Sequence, residues 1–142
     1  MDQALNQAAI AASKNEVPVG AIISIDNKII ATGHNLVEQE NSALMHAECI
    51  AISEASKKLK NWRLLNTTLA VTLEPCAMCM GAIANSRIET LIIGAKDPRI
   101  GACGGKFDIS SFYPIKVVWG IREEECSKIL RDFFEKKRDE VK

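Results

Sequence analysis

The sequence predicts an α/β protein, a five-stranded mixed sheet between two layers of helices in a three-layer α-β-α arrangement. Three observations predict it. Short β-branched runs alternate with helix-forming segments along most of the chain, which requires crossovers and some parallel pairing. The first two β-branched runs are separated only by Asp26-Asn27, which requires an antiparallel hairpin. The chain has 142 residues, 47% of them hydrophobic, with no linker, internal repeat or low-complexity tract to divide one core. One domain spanning residues 1–142 is therefore expected.

Each element follows from its composition. Residues 2–14 are rich in the helix formers Ala, Leu and Gln, and Asn15 and Pro18 end that helix. Residues 19–25, VGAIISI, read as a strand, and Asp26-Asn27, which tolerate positive φ, turn it into a second strand over 28–33. A polar loop, HNLVEQENSAL, follows. His46 opens a helical pattern in which Ile50, Ala51, Glu54 and Ala55 share one face. Residues 67–73 form a strand, and Pro75 fits the first position of a helix running to about Asn85, because a helix start has no use for its missing N–H. Residues 90–94 and 115–119 are further strands, joined by the glycine-bearing loop DPRIGACGGKFDISS, and residues 123–137 form an amphipathic final helix.

Charge is balanced, with 18 Lys plus Arg against 18 Asp plus Glu, so nothing global draws the protein to nucleic acid or acidic lipid. No apolar stretch approaches a membrane span. The start, MDQALNQAAI, lacks the basic and apolar regions of a signal peptide. A cytoplasmic protein with reduced thiols is expected, in which a Cys-x-x-Cys pair reads as metal or redox chemistry before disulfide.

That pair is Cys76 and Cys79, in TLEPCAMCMGAI. It follows a strand and opens a helix, a context shared by redox-active pairs. Upstream, at another helix start, stands His46-Ala47-Glu48. Cys76 and Cys79 lie one helical turn apart, so both sulfurs can reach one ion, and a helix N-terminus favours thiolates. With His46 as third ligand, the fourth tetrahedral position stays open for water, the pattern of a catalytic zinc. Two thiolates and a neutral imidazole cancel the charge of the ion, which weakens its hold on the water proton. A nearby base is needed, and Glu48 is the candidate. A structural zinc with Cys49, Cys103 or Cys126 as fourth ligand is the other reading, but it leaves Glu48 without a task. Those three cysteines otherwise read as small buried core residues.

His-x-Glu followed by Pro-Cys-x-x-Cys resembles the motif of zinc-dependent deaminases of nucleobases, nucleosides and nucleotides, of the cytidine deaminase-like fold. The likeness covers nearly the whole chain. EVPVGA (16–21), GHN (33–35), the zinc helix, SRI (86–88), GAKD (94–97) and DFFEKKR (132–138) resemble the bacterial tRNA-specific adenosine deaminases. The chain departs from the pattern at Leu44-Met45 and at Gly104-Gly105.

This resemblance implies one zinc per chain, a homodimer, and hydrolytic conversion of adenosine to inosine at the wobble position of an arginine tRNA anticodon loop. Water activated by zinc would attack C6 while Glu48 shuttles the proton. It further implies that Asn35 holds the nucleoside, that Asp97 contacts ribose, that Phe134 lies in the substrate region beside Phe133, and that Lys136, Lys137 and Arg138 supply local positive charge. Seven acidic residues between Glu123 and Glu140 dilute that last signal. A deaminase of a free base or nucleotide, of guanine or cytosine type, shares the same zinc and glutamate.

Overall fold

A computed structural model describes residues 1–141. In chain order the elements are α1 (Asp2–Ser13), β1 (Gly20–Ile25), β2 (Lys28–His34), α2 (Val37–Glu40), α3 (Ala47–Leu59), β3 (Thr68–Leu73), α4 (Ala77–Asn85), β4 (Thr90–Ala95), β5 (Lys116–Trp119) and α5 (Glu123–Val141), with a 3-10 turn at Ser110–Phe112. The strands form one mixed sheet in the order β2-β1-β3-β4-β5. β1 pairs antiparallel with β2 and with β3, whereas β3–β4 and β4–β5 are parallel. The hairpin turn has positive φ at both Asp26 (50°) and Asn27 (64°), the twist that matches flanking strands.

Alternation along the strands separates two faces. Ala21, Ile23, Leu69, Val71, Leu91 and Ile93 point into the main core beneath α3 and α4. Ile22 and Ala70 point the other way, toward Ala4 of α1. Each helix layer docks closely because small residues meet glycine. Ala4, Ala8 and Ala11 are the buried residues of α1, and a Cβ on Gly20 would collide with the Ala4 carbonyl and the Ala8 amide. Ala47, Ala51 and Ala55 are the buried stripe of α3 with Glu48, and a Cβ on Gly33 would strike the backbone of Ala47 and Ala51. Cys126, the buried residue of α5, meets Gly94 in the same way.

Three local expectations change. The inward face of α3 is Ala47, Ala51 and Ala55, while Ile50 is half-buried and Glu54 exposed, because only alanines permit this approach to β2. The loop after His34 contains the one-turn helix α2, whose Glu38 and Gln39 amides donate to the Glu16 carboxylate at 3.0 and 2.8 Å. Pro75 is not the first residue of α4. Its carbonyl accepts from the Ala102 amide at 2.9 Å, so the segment stays extended through Cys76, the N-cap, and the first helical bond runs from the Met80 amide to the Cys76 carbonyl.

Candidate active site

Two helix starts face each other at one end of the sheet. His46 caps α3 and Cys76 caps α4, both in extended conformation, so each side chain turns back across the gap between the helices. His46 Nδ1 lies 3.6 Å from Cys76 Sγ and 3.3 Å from Cys79 Sγ. Zinc bonds of about 2.3 Å to sulfur and about 2.0 Å to nitrogen, at tetrahedral angles, place such pairs about 3.5 Å apart. Among the described residues this is the only group of three His, Cys, Asp or Glu ligand atoms close enough to share an ion. The three side chains therefore form a site compatible with a metal.

The crowding shows in the protonation of the thiols. Hydrogen bonds from Cys79 and His46 pull the Cys76 thiol down to about 4, as suits a thiolate ligand. The Cys79 thiol moves the other way, raised by its bonds to Cys49 and Cys76. His46 is raised, chiefly through its bond with Cys76.

Cys49 departs from its expected place in the core. It is half-buried, with Sγ 3.9 Å from Cys79 Sγ, yet it lies outside the three-ligand group. The spacing of one turn after His46 carries it beside the site and not into it. Cys103 and Cys126 are buried, as expected of small core residues.

Glu48 sits two residues into the same motif and does not join the ligand group. It is 4% exposed, and burial pushes its carboxyl up to about 7. Glu48 and the two half-buried ligands His46 and Cys76 line a cavity of about 770 Å³, within the range of roughly 300–1,000 Å³ usual for small-ligand sites.

A family model described as MafB19-like deaminase matches residues 1–138. The tRNA-specific adenosine deaminase of Bacillus subtilis (strain 168) is 43% identical over 146 residues, covering 100% of this chain and 91% of the relative. This chain belongs to the tRNA-specific adenosine deaminase family. A solved structure from work on A-to-I editing by tRNA:A34 deaminases at the wobble position of transfer RNA aligns at 37% identity and a TM-score of 0.86, covering 92% of this chain and 97% of that one. A guanine deaminase from Bacillus subtilis is 34% identical over 78% of this chain and 69% of its own, at a TM-score of 0.65.

In this member of the tRNA-specific adenosine deaminase family the remaining expected residues fall into two groups. Asn35, Asp97, Phe134 and Lys137 line the same cavity as His46 and Glu48. Asn35 accepts from the Ala47 amide at 2.8 Å through Oδ1, which ties it to the start of α3 and leaves its amide nitrogen as the group to offer a ligand. Asp97 is buried, and its Oδ1 accepts from the Arg99 and Ile100 amides at 3.0 and 3.4 Å. Phe134 meets Phe133 edge-on, with ring centroids 5.4 Å apart, and both rings line the cavity. Arg138 lines a second cavity of about 830 Å³, which shares Asp97, Arg99, Phe134 and Lys137 with the first and adds Lys96 and Arg131. Lys136 is exposed and lines neither cavity, because helical spacing turns it away from Phe134 and Lys137.

Two buried carboxylates were not singled out in the sequence. Glu16 caps α2 as described above and is 1% exposed. Glu74, directly before Pro75, accepts three loop amides. Both line the cavity. A lone Glu in a loop or at a strand end carries no signal of burial, since its partners are backbone amides distant in sequence.

Proposed function

We propose that the protein deaminates adenosine to inosine at the wobble position of a tRNA, acting as a single domain over residues 1–142. The observation that carries this reading is a His46–Cys76–Cys79 group beside the buried Glu48, with His46, Cys76 and Glu48 lining a cavity that Asp97, Phe134 and several cations also line, in a chain of the tRNA-specific adenosine deaminase family. His46, Cys76 and Cys79 would hold one zinc ion, which when bound supplies an acidified, oriented water. Glu48 takes a proton from that water, delivers it to the ring nitrogen next to C6, and then serves the departing ammonia. The amide of Asn35 holds the nucleoside and Asp97 its ribose. Phe134 gives a flanking base an aromatic face. A single-stranded loop can splay one base into such a cavity at modest cost, which suits an arginine tRNA anticodon. This chemistry belongs in the cytoplasm. Among the described residues no helix is long and apolar enough to cross a membrane.

Phosphates would meet Lys96, Arg99, Arg131, Lys137 and Arg138 around the two joined cavities, with exposed Lys136 contributing charge from the outer face. With three such contacts, affinity for tRNA falls roughly 20-fold from 50 to 200 mM salt. Incubation with arginine tRNA, followed by sequencing of the wobble position across a salt series, tests this. Absence of inosine together with rapid, salt-insensitive turnover of free guanine would move the chain to the guanine branch.

The active form is proposed to be a homodimer joined through α4. The outward residues Ala77, Met78, Gly81 and Ala82 present a small, apolar face, and a Cβ on Gly81 would meet nothing within 4 Å. Exposed apolar residues border both ends of the helix. Trp62 and Leu65 are 53% and 56% exposed in the segment tied to Ser86 through Leu64, and Phe112 is 78% exposed after the loop tied to Pro75. Gly81→Arg should therefore leave the protomer folded and halve the mass seen by sedimentation. An unchanged dimer would place the interface elsewhere.

A further inference from the structure

Glu74 has no part in the proton chemistry, yet it is among the most heavily bonded side chains near the cavity. It is 2% exposed. Oε1 accepts from the Asp97 amide at 2.8 Å, and Oε2 accepts from the Cys103 amide at 2.9 Å and the Gly105 amide at 2.8 Å. Three charge-assisted bonds replace water around a buried carboxylate. The loop has been built around it: a Cβ on Gly101 or on Gly105 would collide with the Glu74 carboxylate and with the Asp97 carbonyl. The same loop carries Asp97, Arg99 and Ile100, all lining the cavity. At the other side Glu74 stands two residues before Cys76, and its own amide donates to the Ala95 carbonyl at 2.8 Å.

We propose that Glu74 is a positioning residue for substrate, holding the Asp97 wall at a set distance from the His46–Cys76–Cys79 group. It reaches no substrate itself. It acts through Asp97, whose carboxylate is aimed by the turn that begins at the anchored amide. The substrate part of this inference rests on the deaminase reading, whereas the anchoring part does not.

Glu74→Gln separates anchoring from mere bulk. A glutamine has the same shape but one acceptor oxygen, so its NH₂ must face at least one of the three amides. The better placement keeps Cys103 and Gly105 on the oxygen and sets the NH₂ against the Asp97 amide. Hydrogen exchange followed by NMR should then show faster exchange at Asp97 with Cys103 and Gly105 still protected. KM for tRNA should rise about 10-fold, the loss of roughly one hydrogen bond's worth of alignment, with kcat within twofold and zinc content unchanged. Gly105→Ala, which pushes on the carboxylate from the loop side, should raise KM in the same way and covers the case in which Glu74→Gln does not fold. Unchanged exchange at Asp97, or a fall in kcat at constant KM, overturns the proposal. A wild-type enzyme that makes no wobble inosine sinks the deaminase reading instead, and leaves the exchange result to decide the anchoring.

Discussion

Glu48→Gln is expected to bind one zinc per chain, to keep the wild-type circular dichroism spectrum, and to lose about 10³- to 10⁴-fold in kcat. The magnitude follows from the role. A positioned general acid–base group contributes about 10²–10⁴-fold, and one that serves two successive proton transfers belongs at the upper end. Zinc should be kept because Glu48 lies outside the His46–Cys76–Cys79 group. Its burial supports the assignment on physical grounds: loss of water around the carboxylate pushes it up to about 7, near the pH at which giving and taking a proton are equally accessible. Elemental analysis and single-turnover kinetics on the purified variant check both halves. Activity within tenfold of wild type would remove Glu48 as the proton shuttle. A variant lacking zinc would make Glu48 a ligand.

Cys76→Ser is expected to lose zinc and all measurable turnover. A serine hydroxyl does not ionise where the Cys76 thiol is drawn down to about 4, so the substitution removes an anionic ligand and its polarisable sulfur together. Wild-type thermal stability should fall on chelation, because an ion that binds only the folded state stabilises it by mass action. The melting temperature of the variant should not respond to chelator. Cys49→Ser is the internal control. Its sulfur lies 3.9 Å from that of Cys79 but outside the shared site, so zinc and activity should persist. Full zinc in Cys76→Ser, lost again in the Cys49/Cys76 double variant, would show that Cys49 is a ligand.

Much of this site was legible before any coordinates. His46, Glu48, Cys76 and Cys79 lie in two short motifs, and the distance between partners within each motif is set by helical geometry alone. Apart from the one-turn α2, the strand and helix order was equally legible, since β-branched runs and alanine-rich runs differ in local preference. Most boundaries moved by no more than two residues, as at Pro75, whose carbonyl goes to Ala102, whereas α5 runs on to Val141, past its expected end at residue 137. Lys136 to Arg138 read as one basic run, but one turn of α5 sends Lys137 to the wall shared by both cavities, Arg138 to the second cavity alone and Lys136 to solvent.

By itself, then, the sequence determined the class of sheet and pointed to the candidate ligand set and the candidate base, because these depend on residue type and on spacings shorter than a helix. Only the tertiary structure decided that Cys49 stays out of the ligand group and that alanines meet glycines at the helix–sheet contacts. It alone showed that Glu16 and Glu74 are buried against amides far away in the chain. The physical reason is common to all three. Each depends on which distant group approaches within van der Waals or hydrogen-bond distance, and a residue's identity does not encode the identity of a partner that folding brings from a dozen or more positions away.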